Sequence, residues 1–185
     1  MNLINKEPTI ILIAGKARSG KNTTANIFKE KYEEDSKKVI LNPYTKYLKM
    51  YIEEITSQKY NDDNKPREFL QKLGVELIKE KLGKTNMLIN RQIDDIDIYS
   101  YYFDVIIIPD VRFENEITNI KNKYNNTYVI KINNNIDNNL TKEQKEHITE
   151  TSLDNYNNYD FIINNDNNYQ DLKNQVEEIY IKIKK

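Results

Sequence analysis

The chain has 185 residues, 38% hydrophobic and 31% charged, which fits a single folded domain with its own core. Its 28 basic residues are balanced by 29 acidic ones, so no basic field favours polymeric nucleic acid, and the absence of cysteine excludes disulfides and thiolate metal sites. No apolar run has the length of a membrane span or the pattern of a signal sequence, so we expect a cytoplasmic protein that does not bind membranes.

The first predicted element is a strand at residues 9–14, followed by a loop with two glycines and then a helix-like stretch. The loop reads GKARSGKNT and contains the Gly-x-x-x-x-Gly-Lys pattern of a phosphate-binding P-loop. Its glycines let backbone N–H groups face phosphate oxygens, and the helix N-terminus adds a partial positive charge. We therefore expect a nucleoside triphosphate to bind to Gly15, Lys16, Ala17, Arg18, Ser19, Gly20, Lys21, Asn22 and Thr23.

Two positions of this loop bear on catalysis. Lys21 supplies a mobile cation for the outer phosphates of the bound triphosphate. Asn22 stands where a Ser or Thr hydroxyl normally reaches a magnesium ion. The metal site is therefore the part of the P-loop pattern that this sequence matches least well.

Later in the chain, short runs rich in Ile and Val predict strands at residues 38–41, 104–108, 127–132 and 159–163. Between the strands, apolar residues recur at helical spacing. The predicted stripes are Tyr47, Leu48, Tyr51, Ile52 and Ile55; Leu70, Leu73, Leu77 and Ile78; Ile89, Ile93 and Ile96; Phe113, Ile117 and Ile120; and Leu172, Val176, Ile179 and Ile183. This alternation predicts an α/β fold with about five parallel strands and helices on both faces of the sheet.

Asparagine-rich stretches at residues 133–139 and 155–158 bracket a polar segment that fits neither a core strand nor a core helix. Long loops in compact domains are usually functional or disordered. Two interpretations stay open for residues 133–158, a mobile lid over a ligand or plain loops that reflect a compositional bias toward Asn.

Arginine is rare, with four Arg among 28 basic residues. The guanidinium is a rigid fork that binds phosphate through two hydrogen bonds, whereas lysine is a point charge. Arg18 lies in the P-loop, and Arg67 lies at a helix start. Asp110 and Arg112 follow a buried strand and so lie at the carboxyl edge of the sheet, where ligands bind in such folds. These arginines predict a second phosphate site beside the P-loop.

Four segments together resemble the deoxynucleoside monophosphate kinases of bacteriophages and related bacterial proteins. They are residues 15–23, residues 65–76 (KPREFLQKLGVE), residues 110–116 (DVRFENE) and residues 147–151 (HITET). The resemblance spans nearly the whole chain and implies the three-layer P-loop kinase fold, with transfer of the γ-phosphoryl group of ATP to a deoxynucleoside monophosphate. The family usually has Asp at the position of Asn22, so the metal contact or the activity is in question.

The resemblance, combined with the chemistry of phosphoryl transfer, gives each candidate residue a role. The expected catalytic residues are Lys21, Arg18, Asp110 and Arg112. The expected acceptor-binding residues, several of them in a helical segment at residues 44–101, are Arg67, Gln71, Glu76, Arg91, Arg112 and Glu150. Magnesium is expected at Asn22 and Asp110.

Other functions remain open at this point. The same loop occurs in small-molecule kinases similar to dephospho-coenzyme A kinase or phosphomevalonate kinase. A regulatory protein that binds a nucleotide without turnover is a different class, which Asn22 favours. The sequence does not choose the base or the sugar, and a homodimer stays open because 14 tyrosines are present but no segment marks an interface.

Overall fold

The computed structural model describes residues 3–60, 66–134 and 141–184. Its centre is a five-stranded parallel sheet, as the alternation of strands and helices predicts. The strands are β1 (Thr9–Gly15), β2 (Val39–Leu41), β3 (Val105–Val111), β4 (Thr127–Asn133) and β5 (Phe161–Asn164).

The strand order β2-β3-β1-β4-β5 places β1 between β3 and β4. Ile10 lies beside Ile106 of β3 and Thr127 of β4, and the pairing with β3 shifts register once, between Leu12 and Ala14. All the pairs are parallel, so the carboxyl ends of the strands meet at one edge of the sheet. The loop after β1 and the residues that end β3 therefore lie side by side.

The helices of the described residues cover both faces of this sheet. They are α1 (Lys21–Glu34), α2 (Thr45–Thr56), α3 (Arg67–Gln71), a π-helix (Lys72–Lys81), α4 (Met87–Tyr99), α5 (Glu114–Lys123), α6 (Lys142–Glu146), α7 (Ile148–Thr151) and α8 (Tyr169–Ile183). None of these helices is long and apolar enough to cross a membrane.

Two hydrophobic cores result from the alternation of side chains along each strand. One face of β1, which includes Ile10 and Leu12, packs with the core residues of α2, the π-helix, α4 and α5. The other face, which includes Ile11 and Ile13, packs with α1 and α8. The three-layer α/β arrangement predicted from the sequence is therefore confirmed.

The structure departs from the predicted apolar stripes at a few positions. Ile55 is 64% exposed and Leu77 is 41% exposed, because each lies at the edge of a stripe whose other members already cover the sheet. The polar segment near residue 140 contains two short helices, of which α6 has no buried residue and α7 buries only Glu150, so neither contributes to the hydrophobic cores, as the sequence suggested. Residues 135–140 of the predicted lid lie outside the described residues.

The π-helix is the least expected element. Here the backbone N–H of Leu82 donates to the carbonyl oxygen of Leu77, five residues earlier, at 2.9 Å. Such helices are rare and are frequent at functional sites. This one continues directly from α3, and the two together present Gln71, Val75 and Lys79 to the space in front of the sheet edge.

Candidate functional site

The loop between β1 and α1 has the tight backbone of an anion-binding loop. Gly20 has φ +97°, and a Cβ atom there would lie 2.3 Å from the Nδ2 atom of Asn165. A Cβ atom on Gly15 would lie 2.7 Å from the carbonyl oxygen of Ile132. Arg18 has φ +61°, a left-handed conformation that costs a residue with a side chain about 1–2 kcal/mol. Such strain is typical of segments whose shape serves a ligand.

Lys21 is the first residue of α1 and folds back over this loop. It is 8% exposed, and its Nζ atom donates to the carbonyl oxygens of Gly15 at 2.8 Å and Lys16 at 2.5 Å. The ammonium group is therefore held beside the loop amides. The Thr24 hydroxyl donates to the carbonyl oxygen of Gly20 at 3.0 Å, so it serves the first turn of the helix.

Glu150 of α7 fastens Arg112 to the loop. Its Oε2 atom accepts the backbone N–H of Ala17 at 2.6 Å, and its Oε1 atom lies 2.9 Å from Nη1 of Arg112. The same Nη1 donates to the carbonyl oxygens of Gly15 at 3.2 Å and Thr149 at 3.1 Å. The Glu150 side chain is only 6% exposed, and that of Arg112 is 23% exposed. These bonds hold the Arg112 guanidinium in one orientation beside the loop.

The short helix α7 is itself held in place by side chains. The Nδ1 atom of His147 accepts the backbone N–H of Thr149 at 3.3 Å and so caps the start of α7. The Nε2 atom of Gln71 donates to the hydroxyl oxygen of Thr149 at 3.3 Å. Gln71 thereby ties the end of α3 to α7.

Three arginines gather at this place. Arg18, Arg67 and Arg112 all line one cleft of about 420 Å³. Burial, together with the charges of Arg18 and Arg112, lowers the pKa of Arg67, and Glu150 acts in the opposite direction. Five cationic side chains and three carboxyl groups line the cleft; the cations are Arg18, Lys21, Arg67, Lys79 and Arg112, and the carboxyl groups are those of Asp110, Glu116 and Glu150. The excess of positive charge attracts and binds phosphate.

The structure brings most of the sequence-predicted site residues into this cleft. Those that line it are Ala17, Arg18, Gly20, Lys21, Asn22, Thr23, Arg67, Gln71, Asp110, Arg112 and Glu150. Gly15 and Lys16 line a second cavity of about 500 Å³, which also includes Arg112 and Glu150. Ser19 is buried, and its hydroxyl has no hydrogen-bond partner among the described residues.

Glu76 and Arg91, both predicted to bind substrate, do not line the cleft. Side chains four residues apart share a helix face, so Gln71, Val75 and Lys79 line the cleft while Glu76 is exposed on an adjacent face. Arg91 is exposed on α4, and its guanidinium lies 5.7 Å from the ring centroid of Tyr51 in α2. Its position is that of a surface residue joining two helices.

Asp110 joins β3 to the start of α2. Its two carboxylate oxygens accept the backbone N–H groups of Tyr44 at 2.8 Å and Thr45 at 2.9 Å. Each oxygen keeps a further lone pair, and both Asp110 and Asn22 line the cleft. Mg²⁺ beside nucleotides is held by one or two protein oxygens with phosphates and water, so this pair fits a nucleotide-bound Mg²⁺. Across the described ranges, no cluster of three or more His, Cys, Asp or Glu could hold a metal by itself.

Two charged residues of the cleft were not indicated as site residues by the sequence. Glu116 in the first turn of α5 is 4% exposed, and its Oε2 atom accepts the backbone N–H groups of Arg112 at 2.8 Å and Phe113 at 3.1 Å. Burial raises the pKa of Glu116 to about 7, although the two amides and the charge of Lys79 act against it. Lys79 lies on the π-helix with its Nζ atom 3.1 Å from the ring centroid of Phe113, and burial lowers the pKa of Lys79.

Tyr44 is a third lining residue that the sequence did not indicate. It is 4% exposed, and its hydroxyl has no hydrogen-bond partner among the described residues. Burial raises the pKa of Tyr44 well above its ordinary value, and the negative charges of Glu116 and Asp110 add to this effect.

Comparisons with known proteins agree with this geometry. A family model described as deoxynucleotide monophosphate kinase matches residues 37–176, a match that begins after the P-loop. No curated protein matches the chain.

Among solved structures, a shikimate kinase from Bacteroides thetaiotaomicron is similar, with a TM-score of 0.51 and 14% identity over 96% of this chain and 99% of that chain. A crystal structure titled APE1195 has a TM-score of 0.49 and 13% identity over 99% of this chain and 98% of that chain. The likeness to the shikimate kinase confirms the predicted P-loop kinase fold.

Proposed function

Because this chain belongs to the deoxynucleotide monophosphate kinase family, we propose that it transfers the γ-phosphoryl group of ATP to a deoxynucleoside monophosphate. The family and the fold make it a nucleotide kinase, and the proposal adds the donor and the class of acceptor. An oxygen of the acceptor phosphate forms a bond to the γ-phosphorus. The bond from the γ-phosphorus to the β–γ bridging oxygen breaks, and ADP leaves with the electron pair.

The observation that carries the proposal is the meeting of a P-loop and three arginines in one cleft. Phosphoryl transfer needs little covalent chemistry from the protein, because its main demand is that two anions be held in line while charge spreads over the transferring group. On the donor side, the loop amides and Lys21 would hold the β- and γ-phosphates. Arg18, which extends from the loop into the same cleft, would contact the transferring group.

On the acceptor side, Arg67 and Arg112 would hold the monophosphate. Arg67 reaches the cleft from the start of α3, and Arg112 reaches it from the end of β3. Because Arg112 is bonded to the carbonyl oxygen of Gly15, its guanidinium lies between the P-loop and the acceptor side. Glu150, predicted from the sequence to bind substrate, would serve here by holding Arg112 and the Ala17 amide together.

Mg²⁺ is the expected cofactor of the ATP donor. Asp110 and Asn22 would hold it, directly or through water, and the ion would neutralise phosphate charge as it develops. An amide at position 22 provides an oxygen ligand but no negative charge. We therefore expect weaker binding of the metal than in a protein with Asp at this position.

A coupled assay of ADP release tests the proposal. Each of the common deoxynucleoside and ribonucleoside monophosphates is supplied with ATP and Mg²⁺, and dephospho-coenzyme A and phosphomevalonate are included as other acceptors. ADP release that depends on a deoxynucleoside monophosphate supports the proposal. Release with another acceptor alone contradicts it, and ATP binding without any acceptor-dependent release indicates a regulatory protein.

A further inference from the structure

Part of the lining of the cleft is apolar and suits a flat ring. It is formed by Leu48 of α2, Gly74 and Val75 of the π-helix, and Leu88 of α4. A Cβ atom on Gly74 would lie 3.1 Å from Cδ1 of Leu48, so the glycine lets α2 and the π-helix approach closely. Ligand sites of this kind are mostly apolar, with a few polar groups that fix orientation.

Glu116 places a hydrogen-bond acceptor in this cleft. Its Oε2 atom is occupied by the amides of Arg112 and Phe113, whereas no described residue donates to its Oε1 atom. The residue lines the cleft although it is only 4% exposed. A helix cap alone does not require a charge at this depth, since Gln would accept the same two N–H groups without the cost of burying a carboxylate.

Lys79 places a hydrogen-bond donor in the same cleft. Its ammonium lies over the ring of Phe113, and its burial lowers its pKa. Among the described residues no ion pair joins Lys79 to Glu116, although the charge of Lys79 favours the ionised form of that carboxyl. The two groups thus line one cleft without forming an ion pair with each other, and both can therefore form hydrogen bonds to a ligand.

A donor and an acceptor that line one cleft and interact through their charges match one kind of nucleobase edge. Guanine, hypoxanthine, thymine and uracil present a carbonyl oxygen next to a ring N–H. Adenine and cytosine present an amino group next to a bare ring nitrogen, which is the reverse order. A lysine has only donors and an ionised glutamate has only acceptors, so neither can adapt to the reversed edge.

We propose that Lys79 and Glu116 read the base of the acceptor monophosphate and select bases with a carbonyl oxygen beside a ring N–H. Lys79 donates to the carbonyl oxygen, and Glu116 accepts the ring N–H through Oε1. The inference rests on the proposed function in one respect, because it takes the acceptor to be a nucleoside monophosphate. Arg67 and Arg112 hold the phosphate of that same molecule.

Two pairs of monophosphates isolate the base edge. dIMP and dAMP differ only at position 6 and the adjacent ring nitrogen, and dUMP and dCMP differ in the same way at position 4. Their dissociation constants are measured by calorimetry at pH 8, where Glu116 is mostly ionised, without ATP. For the wild-type protein we expect dIMP to bind at least about 30-fold more tightly than dAMP, because the buried Glu116 and the half-buried Lys79 would lose their partners with dAMP. The affinity for dUMP should exceed the affinity for dCMP to a similar extent.

Variants then assign the preference to the two residues. Glu116→Gln keeps the cap but turns the free acceptor into an NH₂ donor, so the ratio of dIMP to dAMP affinity should fall to within about threefold of one. Lys79→Met should lower that ratio while leaving the Glu116 cap untouched. Glu114→Gln is the matched control, since it removes the same charge from an exposed position in the first turn of α5 and should keep the wild-type ratio. A thermal melt of each variant establishes that it is folded.

Equal wild-type affinity for dIMP and dAMP, or tighter binding of dAMP, overturns the inference. So does a wild-type ratio in folded Glu116→Gln and Lys79→Met proteins, or a loss of the ratio in Glu114→Gln. These measurements do not depend on turnover. If the base preference is present and no monophosphate accepts a phosphoryl group, the proposed function fails while the base-reading assignment stands.

Discussion

Replacing Glu116 with Gln should change how the stability of the protein depends on pH. The Glu116 carboxyl is buried, and burial raises its pKa from the ordinary value of 4.5 to about 7. Lys79 and two backbone amides favour the ionised form, and the nearby charge of Asp110 opposes it. Gln accepts the same amide hydrogen bonds and does not titrate, so the variant isolates the carboxyl.

The direction of this pH dependence follows from the number of protons bound in the folded and unfolded states. Between pH 4.5 and 7 the folded protein holds a proton at Glu116 that the unfolded chain has already released. Glu116 therefore contributes its full stabilisation below pH 4.5, and this contribution is lost as the pH rises through 7. The difference, about 7 minus 4.5, is about 2.5 pH units and corresponds to about 3 kcal/mol. The free energy of unfolding of Glu116→Gln minus that of wild type should rise by about this amount between pH 4.5 and 8.

Urea unfolding at pH 4.5, 6 and 8 measures that difference, since the other titrating groups cancel between wild type and variant. This rise corresponds to a melting-temperature difference between variant and wild type that is roughly 6–12 °C larger at pH 8 than at pH 4.5. Glu114→Gln, on the same helix turn but exposed, should show no such pH-dependent gain. A difference between Glu116→Gln and wild type that stays constant from pH 4.5 to 8 would refute the reasoning, because the carboxyl would then titrate near its ordinary value.

Three further predictions concern catalysis and binding. Lys21→Ala should lower kcat about 100-fold or more with an unchanged melting temperature, and wild-type turnover in the folded variant would contradict the role of Lys21. Arg67→Lys should weaken monophosphate binding and leave ATP binding nearly unchanged in separate titrations, whereas Arg112→Lys should weaken both, because Arg112 is bonded to the P-loop as well. Residues 141–158 should gain protection from hydrogen exchange when a bisubstrate dinucleotide binds, and equal protection with and without it would exclude a lid.

The phosphate side of the cleft could be predicted because its chemistry is local in sequence. The Gly-x-x-x-x-Gly-Lys pattern needs only the strand before it and the helix after it, and both were visible as periodicity. Asp110 and Arg112 were placed at the sheet edge because parallel strands end there together. The scarcity of arginine then singled out Arg18 and Arg67, which the structure brings to the same cleft.

Contacts between distant segments could not be predicted in the same way. The bond from the Ala17 amide to Glu150 spans 133 positions of the chain, and no local pattern specifies it. Asp110 was expected at a magnesium ion, but which backbone amides its oxygens would accept depends on how α2 is oriented against β3. Glu76 lies on a different helix face from Gln71, Val75 and Lys79, and which face meets the cleft depends on how the π-helix packs against α2.

The base side of the cleft illustrates why specificity is harder to predict than phosphate binding. Phosphate is recognised by backbone amides and by residue types that are conspicuous in a sequence, such as glycine and arginine. The proposed base-reading pair consists of one Lys among 24 and one Glu in the first turn of a helix, where an acidic residue is common for electrostatic reasons alone. What distinguishes Glu116 is its burial at a cleft together with an oxygen to which no described residue donates, and both properties arise only after the surrounding elements have packed.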